Sequence, residues 1–146
     1  MSHKDADNYA AKHIGTVPTD PRISNAIQAR GADGRISCKH AHEIADKFNI
    51  PPAEVGRTID LLDTRINECQ LGLFGHNKDK RNIVAPAQTV SAVLREKIAE
   101  KQEGHRISCI SLWDIAEDLA ISKMEMTAAC ETLHLKICCC QLGAFD

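Results

Sequence analysis

An internal repeat constrains this chain more than any other feature. Residues 34–75 align without a gap on residues 105–146 at a constant offset of 71, and fifteen of the 42 aligned positions are identical. The identities open with Arg35-Ile36-Ser37-Cys38 against Arg106-Ile107-Ser108-Cys109. They close with Cys69-Gln70-Leu71-Gly72 against Cys140-Gln141-Leu142-Gly143. Between these ends, Ile44-Ala45, Ile50, Glu54, Leu62 and Ile66 meet Ile115-Ala116, Ile121, Glu125, Leu133 and Ile137. A fixed period of this kind marks one supersecondary unit made twice. The 146 residues must therefore build two very small units.

Aromatic residues are only 3% of the chain, so each core has to be assembled from Ile, Leu, Val, Ala, Met and Cys. The local signals are the same in both copies. Asp20-Pro21 offers an N-cap followed by proline at the first helical position, which predicts a helix to about Arg30, before Gly31. Its counterpart is expected from near Thr89 to Gly104, with Val90, Leu94 and Ile98 at helical spacing. A short extended Arg-Ile-Ser-Cys segment follows, then a second helix near 41–48 and 112–119. Ser111 and Asp114 stand at capping-box spacing at the start of the latter.

After a tight turn (Asn49-Ile50-Pro51 and Ala120-Ile121-Ser122) a third helix is expected over 52–63 and 123–134. Ser122 with Glu125 forms a capping box at the second of these. Val55, Ile59 and Leu62 make one apolar stripe, and Met126, Cys130 and Leu133 make the other. Extended stretches over 65–74 and 136–145 finish each copy, each with a glycine where a strand could turn.

This order of elements resembles the winged helix-turn-helix superfamily. The resemblance is carried by Glu43-Ile44-Ala45, Ile50, Val55 and Leu62, and by Asp114-Ile115-Ala116, Ile121, Met126 and Leu133. It covers most of the chain beyond the first 20 residues, and it departs from the common pattern after Leu71, where the wing is short. The fold expected is mainly α with short β strands, as tandem duplicated winged helix-turn-helix-like modules. Residues 1–19 are read as a flexible N-terminal segment, 20–75 as the first module, 76–88 as a linker and 89–146 as the second module.

The resemblance implies a third helix that enters the major groove of DNA, and hence a transcriptional regulator. Arg57 and Thr58 would contact bases or phosphates, joined by Lys123 of the second copy and by Lys78, Lys80 and Arg81 where a wing would lie. Charge argues the other way. The net charge is −2, and Glu54, Asp60 and Asp63 surround Arg57 as Glu125 and Glu131 accompany Lys123. A pair of such modules also serves as a protein-docking surface, so the partner is DNA or a protein, with self-association open.

Seven cysteines complete the inventory. Cys38, Cys69, Cys109 and Cys140 occupy repeated positions, where four thiolates could hold zinc or a cluster, giving a metal- or redox-responsive variant of the docking role. No Cys-x-x-Cys spacing supports this, and buried cysteine also serves as a small hydrophobe, so no cofactor is expected. Strand alternation through Cys138-Cys139-Cys140 would expose at least one thiol. Cys38, His40 and His42 diverge around a helix start and would not converge on one ion. No nucleophile elbow, phosphate-cradling glycine loop or zinc-protease helix is present, and an enzyme is not expected. No apolar run approaches a membrane span, and residues 1–12 lack the apolar stretch of a signal peptide. A cytoplasmic protein that avoids membranes is the resulting expectation.

Overall fold

A computed structural model describes residues 19–76 and 82–146. The chain is mainly helical, with its short strands in two small parallel pairs. The first copy contains α1 (Pro21–Arg30), β1 (Arg35–Ser37), α2 (Cys38–Phe48), α3 (Pro52–Leu61) and β2 (Arg65–Asn67). The second contains α4 (Ala92–Lys101), β3 (Arg106–Ser108), α5 (Cys109–Leu119), α6 (Lys123–Thr132) and β4 (Lys136–Cys138). Every element of the second copy stands 71 residues after its counterpart. The duplication thus extends upstream through α1 and α4, where Ile27 and Ile98 are the matching core residues, 1% and 0% exposed.

Helix starts follow the side chains that cap them. Asp20 accepts the Arg22 amide at 2.9 Å ahead of Pro21, and Ser91 accepts the Leu94 amide at 3.2 Å. Ser37 and Ser108 cap α2 and α5, accepting the amides of His40 and Ser111 at 3.1 and 3.2 Å. These two helices therefore begin three residues earlier than their apolar pattern suggests. Ser111 is a capped residue there and not the cap. The box at α6 forms as expected, Glu125 N–H to Ser122 Oγ at 3.1 Å and Ser122 N–H to Glu125 Oε2 at 2.8 Å.

Asn49 and Ala120 end α2 and α5 in the left-handed region, at φ 52° and 53°. That conformation reverses the chain and lets the next amide, of Ile50 or Ile121, reach back to Ala45 or Ala116 at 3.0 Å. Each helical hairpin is then the crossover that a parallel strand pair requires. Arg35, Ile36 and Ser37 register with Arg65, Ile66 and Asn67, and Arg106, Ile107 and Ser108 with Lys136, Ile137 and Cys138.

The extended stretches expected over 65–74 and 136–145 are strand for three residues only. Glu68 (φ 47°) and Cys139 (φ 62°) turn the chain left-handed at matching positions, and Gly72 (φ 78°) and Gly143 (φ 79°) do so again. Such turns break a strand ladder. Among the described residues, both sheets have two strands only.

The described chain forms two compact units whose boundary cuts through the repeat. One is the chain up to Cys69 together with Gln141–Asp146, and the other is Gln70–Cys140. Residues 70–75, which the repeat places with the first module, belong to the second unit, and 141–146 belong to the first. The copies have exchanged their last segments.

In the first unit α2 packs on α3, and α1 on both. Ile23, Ile27, Ile36, Ile44, Val55, Ile59 and the exchanged Leu142 are all 4% exposed or less. In the second, Leu71 fills the place of Leu142 at 1% exposure, among Ile98, Ile107, Leu112, Ile115 and Met126. Volumes are traded between the copies. Ala41 and Val55 become Leu112 and Met126 while Ile59 becomes Cys130, the kind of compensating change a packed core tolerates.

Candidate functional site

The third helix of each unit is where recognition was expected, and the exchanged segments meet it there. Position 56 of α3 corresponds to position 127 of α6. At Gly56 a side chain would overlap the carbonyl of Leu142, with the carbonyl carbon 2.7 Å from an ideal Cβ. The backbone of the C-terminal segment lies directly on the helix, an approach only glycine permits. In the second unit the same contact is made differently. Thr127 is fully buried, and its hydroxyl donates to the Leu71 carbonyl at 2.7 Å. The first solution brings the segment's backbone close through a missing side chain, and the second gives its carbonyl a hydrogen-bond donor.

A helix that holds a segment in this way has less surface to offer. On α3, Val55, Gly56, Thr58, Ile59 and Asp60 are buried, and only Ala53 and Glu54 are exposed. Thr58 is 2% exposed and its hydroxyl donates to the Glu54 carbonyl at 2.9 Å, so it faces inward. The Arg57 side chain is 16% exposed and bound to Glu54, Nε to Oε1 at 3.2 Å and Nη2 to Oε2 at 3.0 Å.

On α6, Lys123 lies over the ring of Trp113, its Nζ 4.5 Å from the centroid, a cation–π contact. Each residue proposed to read DNA from the third helices is thus engaged within its own unit, Arg57 by Glu54, Thr58 by the Glu54 carbonyl and Lys123 by Trp113. Lys78, Lys80 and Arg81 lie outside the described residues, as do 1–18 of the N-terminal segment.

Of the cysteines, Cys38, Cys69, Cys109, Cys130 and Cys138 are buried, Cys140 is half-buried and Cys139 is exposed. The exposure of Cys139 comes from its left-handed turn beyond β4 and not from strand alternation. Burial pushes the Cys130 thiol up to about 12 from an ordinary value of 9.0, with Glu131 adding to the effect. Since Ile59 occupies the matching site, Cys130 acts as an apolar filler. Among the described residues, no three His, Cys, Asp or Glu side chains are grouped to hold a metal ion.

Maleimide at pH 8 should label Cys139 within the native state and leave Cys130 untouched until the chain unfolds. The unfolded chain releases the Cys130 proton near pH 9, while the folded chain keeps it to about 12. Stability should therefore fall as pH rises through that window. Native labelling of Cys130 as fast as Cys139, read by mass spectrometry, would contradict the packing described here.

Neither Gly56 nor Thr127 belongs to a motif that singles it out in the sequence. The available signal was a glycine in the middle of a helical stripe, where it costs about 1 kcal/mol against alanine unless a close approach requires it. No protein-family model, no curated protein and no solved structure matches this chain. Among the described residues, no helix is long and apolar enough to cross a membrane.

Proposed function

We propose that this chain is a non-catalytic, cytoplasmic binding protein whose target is another protein. The observation that supports this best is the occupation of both third helices by the exchanged segments. A helix that reads bases needs an outward row of polar side chains, whereas α3 exposes Ala53 and Glu54 and keeps Arg57 paired. The exposed side chains of the second unit point the same way. Val93 and Ile110, 55% and 53% exposed, lie on α4 and α5, which pack together. Exposed apolar atoms suit a protein partner and contribute nothing to holding phosphates.

The winged-helix reading rests on the helix order, and with it comes a second reading, a DNA-binding regulator built on Lys78, Lys80 and Arg81. One pair of measurements separates them. Val93→Asp with Ile110→Asp should abolish capture of a partner retained by the wild-type chain, with the unfolding midpoint unchanged. Retardation of DNA fragments at low salt, lost when Arg57 is reversed and Lys78, Lys80 and Arg81 are neutralised, would instead sink the docking reading.

A further inference from the structure

The fifteen identities of the repeat are almost all accounted for by folding. Most are buried or half-buried, Ser37 and Ser108 cap helices, and Gly72 and Gly143 take positive φ. Two identical positions are exposed in both copies, Arg35/Arg106 and Glu54/Glu125. The glutamates sit in the first turn of α3 and α6, where a negative charge suits the helix end. Arg35 and Arg106 have no such role. Neither they nor Lys136 make an ion pair or side-chain hydrogen bond among the described residues.

Each of these arginines also stands in register beside a second cation. Arg35 pairs with Arg65, and Arg106 with Lys136. Residues in register on neighbouring strands share one face at a spacing of about 4.8 Å, and like charges there repel. Both copies keep a cation at each of the two positions.

The surroundings differ between the copies. In the first unit Asp33 and Asp63 accompany the arginines and match them in number. In the second unit the matching positions are Gly104 and His134, and His105 replaces Gly34. The Lys136 amide donates to the His105 carbonyl at 2.7 Å, so His105 adjoins the pair. His134 turns left-handed two residues ahead of Lys136. His105, Arg106, His134 and Lys136 are all exposed. Glu103, bridged to Arg106 through the backbone, is the nearby acid and makes no ion pair with it.

We propose that this corner of the second unit binds the phosphate group of a monoester, with Arg106 and Lys136 on its oxygens and the two imidazoles flanking it. Two adjacent cations match a dianion that carries its charge on one atom group, and a tetrahedral phosphate takes more donors than a planar carboxylate. A monoester fits better than a nucleic-acid backbone, because an extended polyanion would meet a chain of net charge −2. The site stands whether or not the docking reading holds.

The test is an NMR titration of the full chain at low ionic strength with inorganic phosphate, with a phosphoserine peptide, and with sodium chloride at matched ionic strength. Phosphate or the phosphopeptide should shift the His105 and His134 imidazole signals, and whichever binds more tightly identifies the source. Arg106→Gln with Lys136→Gln should weaken binding by about tenfold, while Arg35→Gln with Arg65→Gln leaves it unchanged. Arg35, Arg106 and Lys136 are exposed and Arg65 is half-buried, and circular dichroism should report folded variants. Equal shifts with chloride, no shift with either phosphate probe, or equal loss from both pairs of substitutions would overturn the site. A short DNA duplex that binds the same corner more tightly than the phosphopeptide would reassign it to phosphodiesters and overturn the monoester.

Discussion

Gly56→Ala is expected to destabilise the first unit by about 3 kcal/mol, the upper end of overpacking costs, even though alanine favours a helix by roughly 1 kcal/mol. The new methyl would meet the Leu142 carbonyl and its carbon, which are backbone atoms that cannot rotate away. The helix is anchored by Val55 and Ile59, both fully buried, so the C-terminal segment should yield first. Urea denaturation measures the loss, and limited proteolysis should show cleavage within 141–146 before any other described residue is cut. A variant as stable as the wild type, with the segment still protected, would show that Leu142 does not lie on α3 as described.

Ile98→Ala should cost a comparable amount, about 3–4 kcal/mol, within the range for removing a large aliphatic side chain from a core. The reason is that α4 has no other buried residue. Val93 is more than half exposed and Leu94 is half-buried, so once Ile98 is truncated little apolar area holds this helix on α5. Ile27→Ala in α1 should be better tolerated, because Ile23 supplies a second buried anchor there. Thermal unfolding with hydrogen exchange checks both points. The α4 amides of the Ile98 variant should exchange before those of α5 and α6, and uniform protection across the three helices would contradict this account.

Helix positions were legible because their signals are local. A cap, a proline at the first turn and an apolar stripe all act within about four residues, and Asp20-Pro21 and Ser122-x-x-Glu125 behave as their chemistry requires. The starts of α2 and α5 are less legible, because Cys38 and Cys109 look like strand ends. Whether a cysteine begins a buried helix depends on what it packs against. Thr58 shows a similar limit. Its spacing allows an outward position, but burial by the surrounding segments sets its direction. Arg57 was legible as an exposed cation only until Glu54, three residues away, proved to be its partner.

By itself the sequence determined that one unit is built twice, where α1, α3 and α6 begin, and that its core is aliphatic and thiol-rich. It placed each closing Cys-Gln-Leu-Gly segment with its own copy, an assignment that local pattern does not secure. Both segments are identical over those four residues, and both third helices carry an apolar stripe at matching positions. Local pattern therefore fits either pairing equally well. The choice rests on contacts between residues more than fifty positions apart, such as Thr127 with Leu71 and Gly56 with Leu142. Long-range packing of that kind carries no local signature, so only the tertiary structure decided that the two repeats exchange their ends and, in doing so, cover the helices on which recognition was expected.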